Sequence, residues 1–435
     1  MMDSLEGIEC LLLAASFHAD SGNLRAAWSI IRRAMLTAQL MCLHRQKRPP
    51  LKTIQSKTEW NPQLLWYKII YYDRFFSLIL GLPQGSMDNS MGAPSALVND
   101  TPMGRLERRH CVLASRILLR NDTDFNTPDE LDTLAIDKEL RQLAESMPSK
   151  WWLIPNLAYM KDSDDLFWTT VRLTNQVFHY ILLSHLHLPY LLLSGDHEYS
   201  RVACVNASRD MLHRYMGFRT FNSVLYCCHS MDFFAITASM TLILAHLSQS
   251  GSGSALVHQR TSDRALMEEI LDNMEQVGTL SKVISISERG AGVLRRLLVI
   301  EADAASGSRY RLEAGETNDT RALRLNFPYF GTITITQYTP EVSERPLGSE
   351  RTAEEAPRGN LPDLSAGGMS SLSTGYVNAA SAMVQPNGAV DTGSGGLSFG
   401  ESLGQEDWEF QDANMSFFDA LMKESDAQMA YWWLQ

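Results

Sequence analysis

AAWSIIRRAMLTAQLMCLHR at residues 26–45 and LLWYKIIYYDRFFSLILGLP at 64–83 are the stretches whose patterns set the fold. Leu24, Trp28, Ile31, Ala34 with Met35, and Ala38 recur every three or four residues, which lays one apolar stripe along a helix. In the second stretch, Leu64, Leu65, Tyr67, Ile69, Tyr71, Tyr72, Phe75, Phe76, Leu78 and Ile79 cover most of a helix circumference, so a buried central position is expected. Asp73-Arg74 stands out there as a charge pair in an apolar helix. Between the two, HRQKRPPLKTIQSK is basic and contains Pro49-Pro50; neither proline has a backbone N–H to donate and each restricts its predecessor, so a loop is expected. Gly81 and Pro83 stop the second helix.

Helical patterning extends outward on both sides. Asp3 or Ser4 is placed to cap a helix carrying Ile8, Leu11, Leu12, Ala15 and Phe17, and Ser21-Gly22-Asn23 makes the polar turn of an antiparallel pair. Residues 84–104 read as loop, and RLERRHCVLASRILLR resumes a helix. A further helix at 128–147 is expected with a Thr cap, Pro in its first turn, acids near its positive end, and Pro148 after it. A longer helix over 163–194 is interrupted near Pro189, and more follow at 200–215, 231–247 and 263–300.

Beyond residue 305 the character changes. FGTITITQYT at 330–339 alternates β-branched and polar residues, giving a short strand or extended strap over 311–340. Residues 341–405, rich in Gly, Ser, Pro and Ala, lack the apolar area to offset their ordering entropy and are expected to be a disordered linker. The last segment, 406–435, interleaves acids with Trp408, Phe410, Phe417, Phe418, Leu421, Trp432 and Trp433. That composition suits an amphipathic activation segment docking into a coactivator groove; a terminal helix packed on the chain's own domain fits it equally.

The chain has 435 residues, 45% of them hydrophobic, enough for two or three units and a large core. Its net charge of −12 is no electrostatic match for nucleic acid, so DNA binding is not supported by this chain alone. The six cysteines are scattered with no Cys-x-x-Cys pair, so no zinc cluster is expected, and they read as buried thiols of a reducing compartment. No basic leader marks the N-terminus, and apolar runs such as YILLSHLHLPYLLL are interrupted short of the ~20 residues that a membrane span requires. A soluble intracellular protein without a membrane partner is expected.

In order along the chain stand Trp28, Leu43-His44-Arg45, Trp66, Asp73-Arg74 and Gly81-Leu82-Pro83. This ordered set resembles the central regulatory domain of fungal zinc-cluster transcription factors. Similarity returns at Leu186-His187-Leu188-Pro189-Tyr190-Leu191, where Leu188 stands in place of the family's usual arginine, and at Cys204, Ala207, Ser208 and Arg209. The resemblance spans about residues 5–300. It implies an all-α, multi-helix antiparallel regulatory domain at 1–310, N-terminally incomplete, with a disordered C-terminal tail. It also implies a nuclear transcription regulator working through coactivators, and a homodimer or a DNA-binding partner, since the family's binuclear zinc cluster is absent here. Within that family this type resembles regulators of secondary-metabolite gene clusters; nutrient catabolism, or a helical metabolite-sensing or scaffold protein, are the alternatives.

Catalytic and metal patterns are weak by comparison. Eight of the eleven histidines lie between 179 and 258, but His185 and His187 are two apart and face different directions on a helix, and Cys227-Cys228 is adjacent rather than spaced. No Gly-x-Ser-x-Gly elbow occurs, and GSGS at 251–254 and SERGAGV at 287–293 read as linker and helix-end glycines. No enzyme and no cofactor are expected. Trp66, Asp73, Arg74, Gly81 and Pro83 are the candidate site, either fixing helix register through buried polar contacts or lining an effector pocket between helices.

Overall fold

The computed structural model describes residues 4–338 apart from 46, 48, 52, 55–60, 124–127, 158–162, 194, 196, 220–228, 249–256, 281–285, 316–321, 328 and 330. The linker at 341–405 and the acidic aromatic segment at 406–435, with all seven of its singled-out residues, lie outside the described residues. The described residues carry eleven α-helices: α1 (Leu5–Asp20), α2 (Leu24–Leu40), α3 (Pro62–Leu80), the one-turn α4 (Pro94–Leu97), α5 (Pro102–Thr123), α6 (Glu130–Glu145), α7 (Ser163–His187), α8 (Glu198–Arg219), α9 (His229–Ser248), α10 (Arg260–Leu280) and α11 (Ile286–Ala305).

Helix ends follow local chemistry. Ser4 accepts the Gly7 N–H at the start of α1. Asn61 accepts the Gln63 and Leu64 N–H groups at the start of α3, with Pro62 in the first helical position, where its missing N–H costs nothing. Gly81 ends α3 at φ 65°, and the Leu82 N–H returns to the Ser77 carbonyl at 2.9 Å. Two expectations shift. The cap of α6 is Asp129, accepting from Leu131 and Asp132, so Pro128 precedes the cap instead of occupying the first turn. The long helix over 163–194 is α7 followed by a 3-10 turn at Leu188–Leu191, because Pro189 cannot continue the α-helical hydrogen bonding.

Packing runs largely between neighbours in the chain: α1 on α2, α2 on α3, α3 on α5, α7 on α8, α8 on α9, and α9 on α11. In the centre lies α9, apolar all round with Met231 to Leu247 buried throughout. Among the described residues this helix alone is long and apolar enough to cross a membrane, which corrects the sequence expectation that the apolar runs fall short. Its most apolar window is 94% buried inside the fold.

SERGAGV is also corrected. It forms the first turns of α11, and Gly290 is a packing residue: a Cβ there would sit 2.1 Å from Ile236 Cδ1 of α9. The thiols divide, with Cys111 and Cys204 buried, Cys42 half-buried and Cys10 exposed, while Cys227 and Cys228 lie outside the described residues. Cys10 is exposed because it falls on the outer face of α1, opposite the Ile8, Leu11, Leu12 and Ala15 stripe.

After α11, three strands form an antiparallel sheet in the order β1 (Arg309–Ala314), β3 (Gly331–Tyr338), β2 (Leu323–Phe327). Leu325 pairs with Ile333 and Leu312 with Ile335, and Leu325, Ile333 and Ile335 join the helical core. The alternation read at 330–339 thus marks the middle strand of a small sheet on an otherwise helical fold.

Replacing Gly290 by Ala drives a methyl into the buried Ile236 side chain, so that either this side chain or the helices must shift, and is expected to destabilise the chain by about 1–3 kcal/mol, measured by urea unfolding. Gly292, whose Cβ would meet nothing within 4 Å, serves as the control, and its change to Ala is expected not to destabilise.

Candidate functional site

Asp73 and Arg74 lie on α3 with no exposed side-chain surface, and each engages a different part of the structure. The Arg74 guanidinium donates to the carbonyls of Ser86 (3.2 Å), Asp88 (2.7 Å) and Cys111 (3.0 Å) and to Asn89 Oδ1 (2.9 Å). Its planar fork thereby holds the loop after α3 against α5. Asp73 Oδ2 accepts the Gly85 N–H at 2.7 Å, and Oδ1 forms an ion pair with Arg32 of α2 at 2.8 Å. Burial pushes the Asp73 carboxyl above its usual range, opposed by the Gly85 N–H and by Arg32 and Arg74.

The other singled-out residues belong to the same network. The Trp66 indole donates to Asp88 Oδ2 at 2.8 Å, while the Ser90 N–H donates to Oδ1. Against the cost of burial, these bonds and the Arg74 charge hold the Asp88 carboxyl below its usual range. The Pro83 carbonyl accepts from Ser77 Oγ and from Arg32, and the Trp28 indole donates to Ser77 Oγ at 3.0 Å. Gly81 supplies the left-handed turn that starts the loop. Trp66, Asp73, Arg74, Gly81 and Pro83 thus form one clamp on residues 82–91. Arg32, Ser77, Gly85, Asp88 and Asn89 complete it. Gly85, Asp88 and Asn89 were passed over in the sequence because QGSMDN reads as ordinary loop, and Arg32 and Ser77 because each is one polar residue within a helical pattern; the signal available was the loop's supply of carbonyls and short polar side chains beside a buried arginine. Gly85 leaves no room for a Cβ, which would fall 2.3 Å from Arg32 Nη1 and 2.7 Å from Met35 Sδ.

None of the five lines a cavity found among the described residues. That space, about 60 Å³, opens on a different face of α3, between α1, α7 and α9, against Tyr71, Tyr72, Phe75, Phe178 and Phe234.

Three more buried carboxylates join helices. Asp232 accepts from Tyr215, Arg219, His229 and Ser287, linking α8, α9 and α11, and these partners hold its carboxyl down at about 2 despite burial. Asp263 takes both Arg209 and His246, and Glu301 takes Arg260 and Arg264. The order Ser200, His187, Asp137 has the connectivity of a nucleophilic triad, with His187 Nδ1 3.1 Å from Ser200 Oγ and Nε2 3.4 Å from Asp137 Oδ1. His187 is completely buried and Asp137 is also held by Tyr199 and Arg141, so this is a packed core histidine. His185 instead meets the Ile181 carbonyl, and among the described residues no group of His, Cys, Asp and Glu converges as metal ligands.

Residues 1–93 match the model of the fungal-specific transcription factor domain, a segment containing nearly the whole clamp. The chain is 43% identical over 357 residues to a dehydrocurvularin biosynthesis regulator of Alternaria cinerariae, covering 78% of this chain and 47% of that protein. A dehydrocurvularin biosynthesis regulator of Aspergillus terreus is 35% identical over 97% of this chain and 65% of its own length. The probable transcription factor gsfR1 of Penicillium aethiopicum is 33% identical over 98% of this chain and 67% of its own length. No solved structure matches. The chain belongs to the fungal-specific transcription factor domain family, and it spans about half to two thirds of the length of these relatives.

Arg74→Met leaves the loop carbonyls without donors and is expected to cost about 3–5 kcal/mol, whereas Arg74→Lys, which keeps the charge but not the fork, is expected to cost about 1–3 kcal/mol. Urea unfolding measures both, and hydrogen exchange at residues 84–91 should rise selectively in the Lys variant. Acid provides a second expectation. Burial depresses His110 well below the imidazole range, His179 to about 3 and His185 to about 4. The unfolded chain takes up these protons near pH ~6.5 and the folded chain does not, so stability falls as pH drops from there towards 4. Each histidine contributes at most about 1.4 kcal/mol per pH unit to that slope. The Asp232 contribution is lost only at lower pH, below the ordinary carboxylate range. Urea midpoints between pH 7 and 4.5 check this, and His185→Gln should flatten the slope.

Proposed function

We propose that this chain is the regulatory portion of a nuclear transcription factor that controls a fungal secondary-metabolite gene cluster. Carrying this reading is the likeness along 97% of the chain to a protein named as a biosynthesis regulator, together with the family's motif residues meeting in one buried clamp. In this reading the helical body is a rigid platform, not an enzyme, and requires no cofactor. The acidic aromatic segment with Trp408, Phe410, Phe417, Phe418, Leu421, Trp432 and Trp433 recruits a coactivator or the transcription machinery. A net charge of −12 favours reaching DNA through a basic module or a DNA-binding partner rather than through the helical body; a homodimer is a separate arrangement, since a second copy brings the same negative charge.

Deleting the gene is expected to silence a neighbouring set of biosynthetic genes by transcript sequencing, and a fluorescent fusion should concentrate in the nucleus. Loss confined to catabolic genes would replace this reading with a nutrient regulator. Residues 400–435 fused to a heterologous DNA-binding domain should activate a reporter, and combined substitution of Phe417, Phe418 and Leu421 by Ala should abolish it; an inert fusion would leave the tail without the role assigned to it.

A further inference from the structure

The cavity beside α3 is unlike the rest of the core. Tyr71 and Phe75 are only half-buried although they sit mid-helix among buried neighbours, so the space in front of them is not filled by any described side chain. Phe75 meets Phe178 at 5.3 Å and Phe234 at 5.7 Å between ring centroids, and Tyr71 meets Phe178 edge-on at 5.5 Å. Tyr71 and Phe75 stack nearly parallel, 6° apart. Their rings therefore offer both faces and edges to the space.

Ordered water fits this space poorly. A water needs about 10–15 Å³ and two to four polar partners. The volume of about 60 Å³ has room for several waters, but most of the wall surface is aromatic and aliphatic carbon; the polar side chains along it are Ser16, Asp20, Tyr71, Tyr72, Thr174 and Ser230. An aromatic ring entering edge-first meets the geometry that aromatic pairs prefer.

We propose that this cavity between α1, α3, α7 and α9 binds a small uncharged aromatic molecule, or the aromatic end of a larger one, and rejects carboxylates. The open side, bounded by half-buried Tyr71 and Phe75, admits the ring and leaves a substituent in solvent. The charge preference follows from the lining: Asp20 stands in it and no Lys, Arg or His does, so a carboxylate entering the space would lose water there without a cationic partner. A regulatory role for this ligand rests on the reading of the chain as a transcription factor; binding itself does not.

The test uses the full chain with benzyl alcohol and benzoate as probes. Benzyl alcohol is expected to raise Tm with the logarithm of its concentration, and benzoate to bind about tenfold more weakly or not at all. Ala19→Met, which extends a lining side chain into the space, should abolish the response to benzyl alcohol. Xenon-pressurised crystals of the unaltered chain give a direct readout that does not depend on that variant folding: an anomalous peak is expected among Phe75, Phe178 and Phe234. No xenon peak there, no shift with benzyl alcohol, equal binding of benzoate, or a response unchanged in a folded Ala19→Met variant would each overturn the proposal. Failure here leaves the transcriptional reading standing, since that is judged on transcripts and localisation.

Discussion

A guanidinium with no exposed surface has to find acceptors inside the protein, and Arg74 finds them in the carbonyls of the loop after α3 and in Cys111 of α5. That requirement organises the N-terminal third of the fold. The loop must curl back over α3, so Gly81 turns left-handed and Gly85 has no side chain where Arg32 and Met35 pass. Asp73 faces the other way and draws in Arg32, tying α2 to the same loop. A buried charge with so many partners adds little net stability over a well-packed apolar alternative, but it makes any other loop path costly. Its effect is to select one arrangement of α2, α3 and α5.

The C-terminal part of the helical body repeats the device with the charges reversed. Carboxylates are the buried centres there, at Asp232, Asp263 and Glu301, and arginines with histidine, serine or tyrosine reach them from neighbouring helices. This suits α9, whose apolar surface is uniform and offers no preferred face for register. Side chains at its ends supply the directionality that hydrophobic packing lacks. Gly290 adds a steric stop by letting α11 settle against Ile236.

Between these two networks lies the aromatic cavity, on the face of α3 opposite in role to the clamp. One helix therefore carries both the polar contacts that fix a loop and the rings that leave a space. Arg74 and Asp73 hold α3 in place while Tyr71 and Phe75 remain half-buried beside α7 and α9. A domain built in this way keeps a small aromatic-walled opening without losing a rigid frame, and that combination accords with the regulatory role proposed for the chain.

Periodicity alone identified the stripe of α2, the full circumference of α3 and the alternation of β3, because helix and strand geometry write themselves into residue spacing. Capping chemistry marked Ser4 and Gly81, although the Asp129 cap was displaced from the expected threonine since two acceptors compete within three residues there, and the Asn61 cap of α3 was not singled out. Asp73-Arg74 was legible as an anomaly, for adjacent charges rarely occur in a helix apolar on every side. Its partners were not legible. Which carbonyls meet Arg74, that Gly290 is a contact and not a helix end, that β1 and β2 flank β3, and that aromatic rings enclose a cavity all depend on residues distant in the chain coming within a few ångströms. Local sequence determined the elements and their apolar faces; only tertiary packing, which brings acceptors to buried donors and rings to one another, decided the clamp and the site.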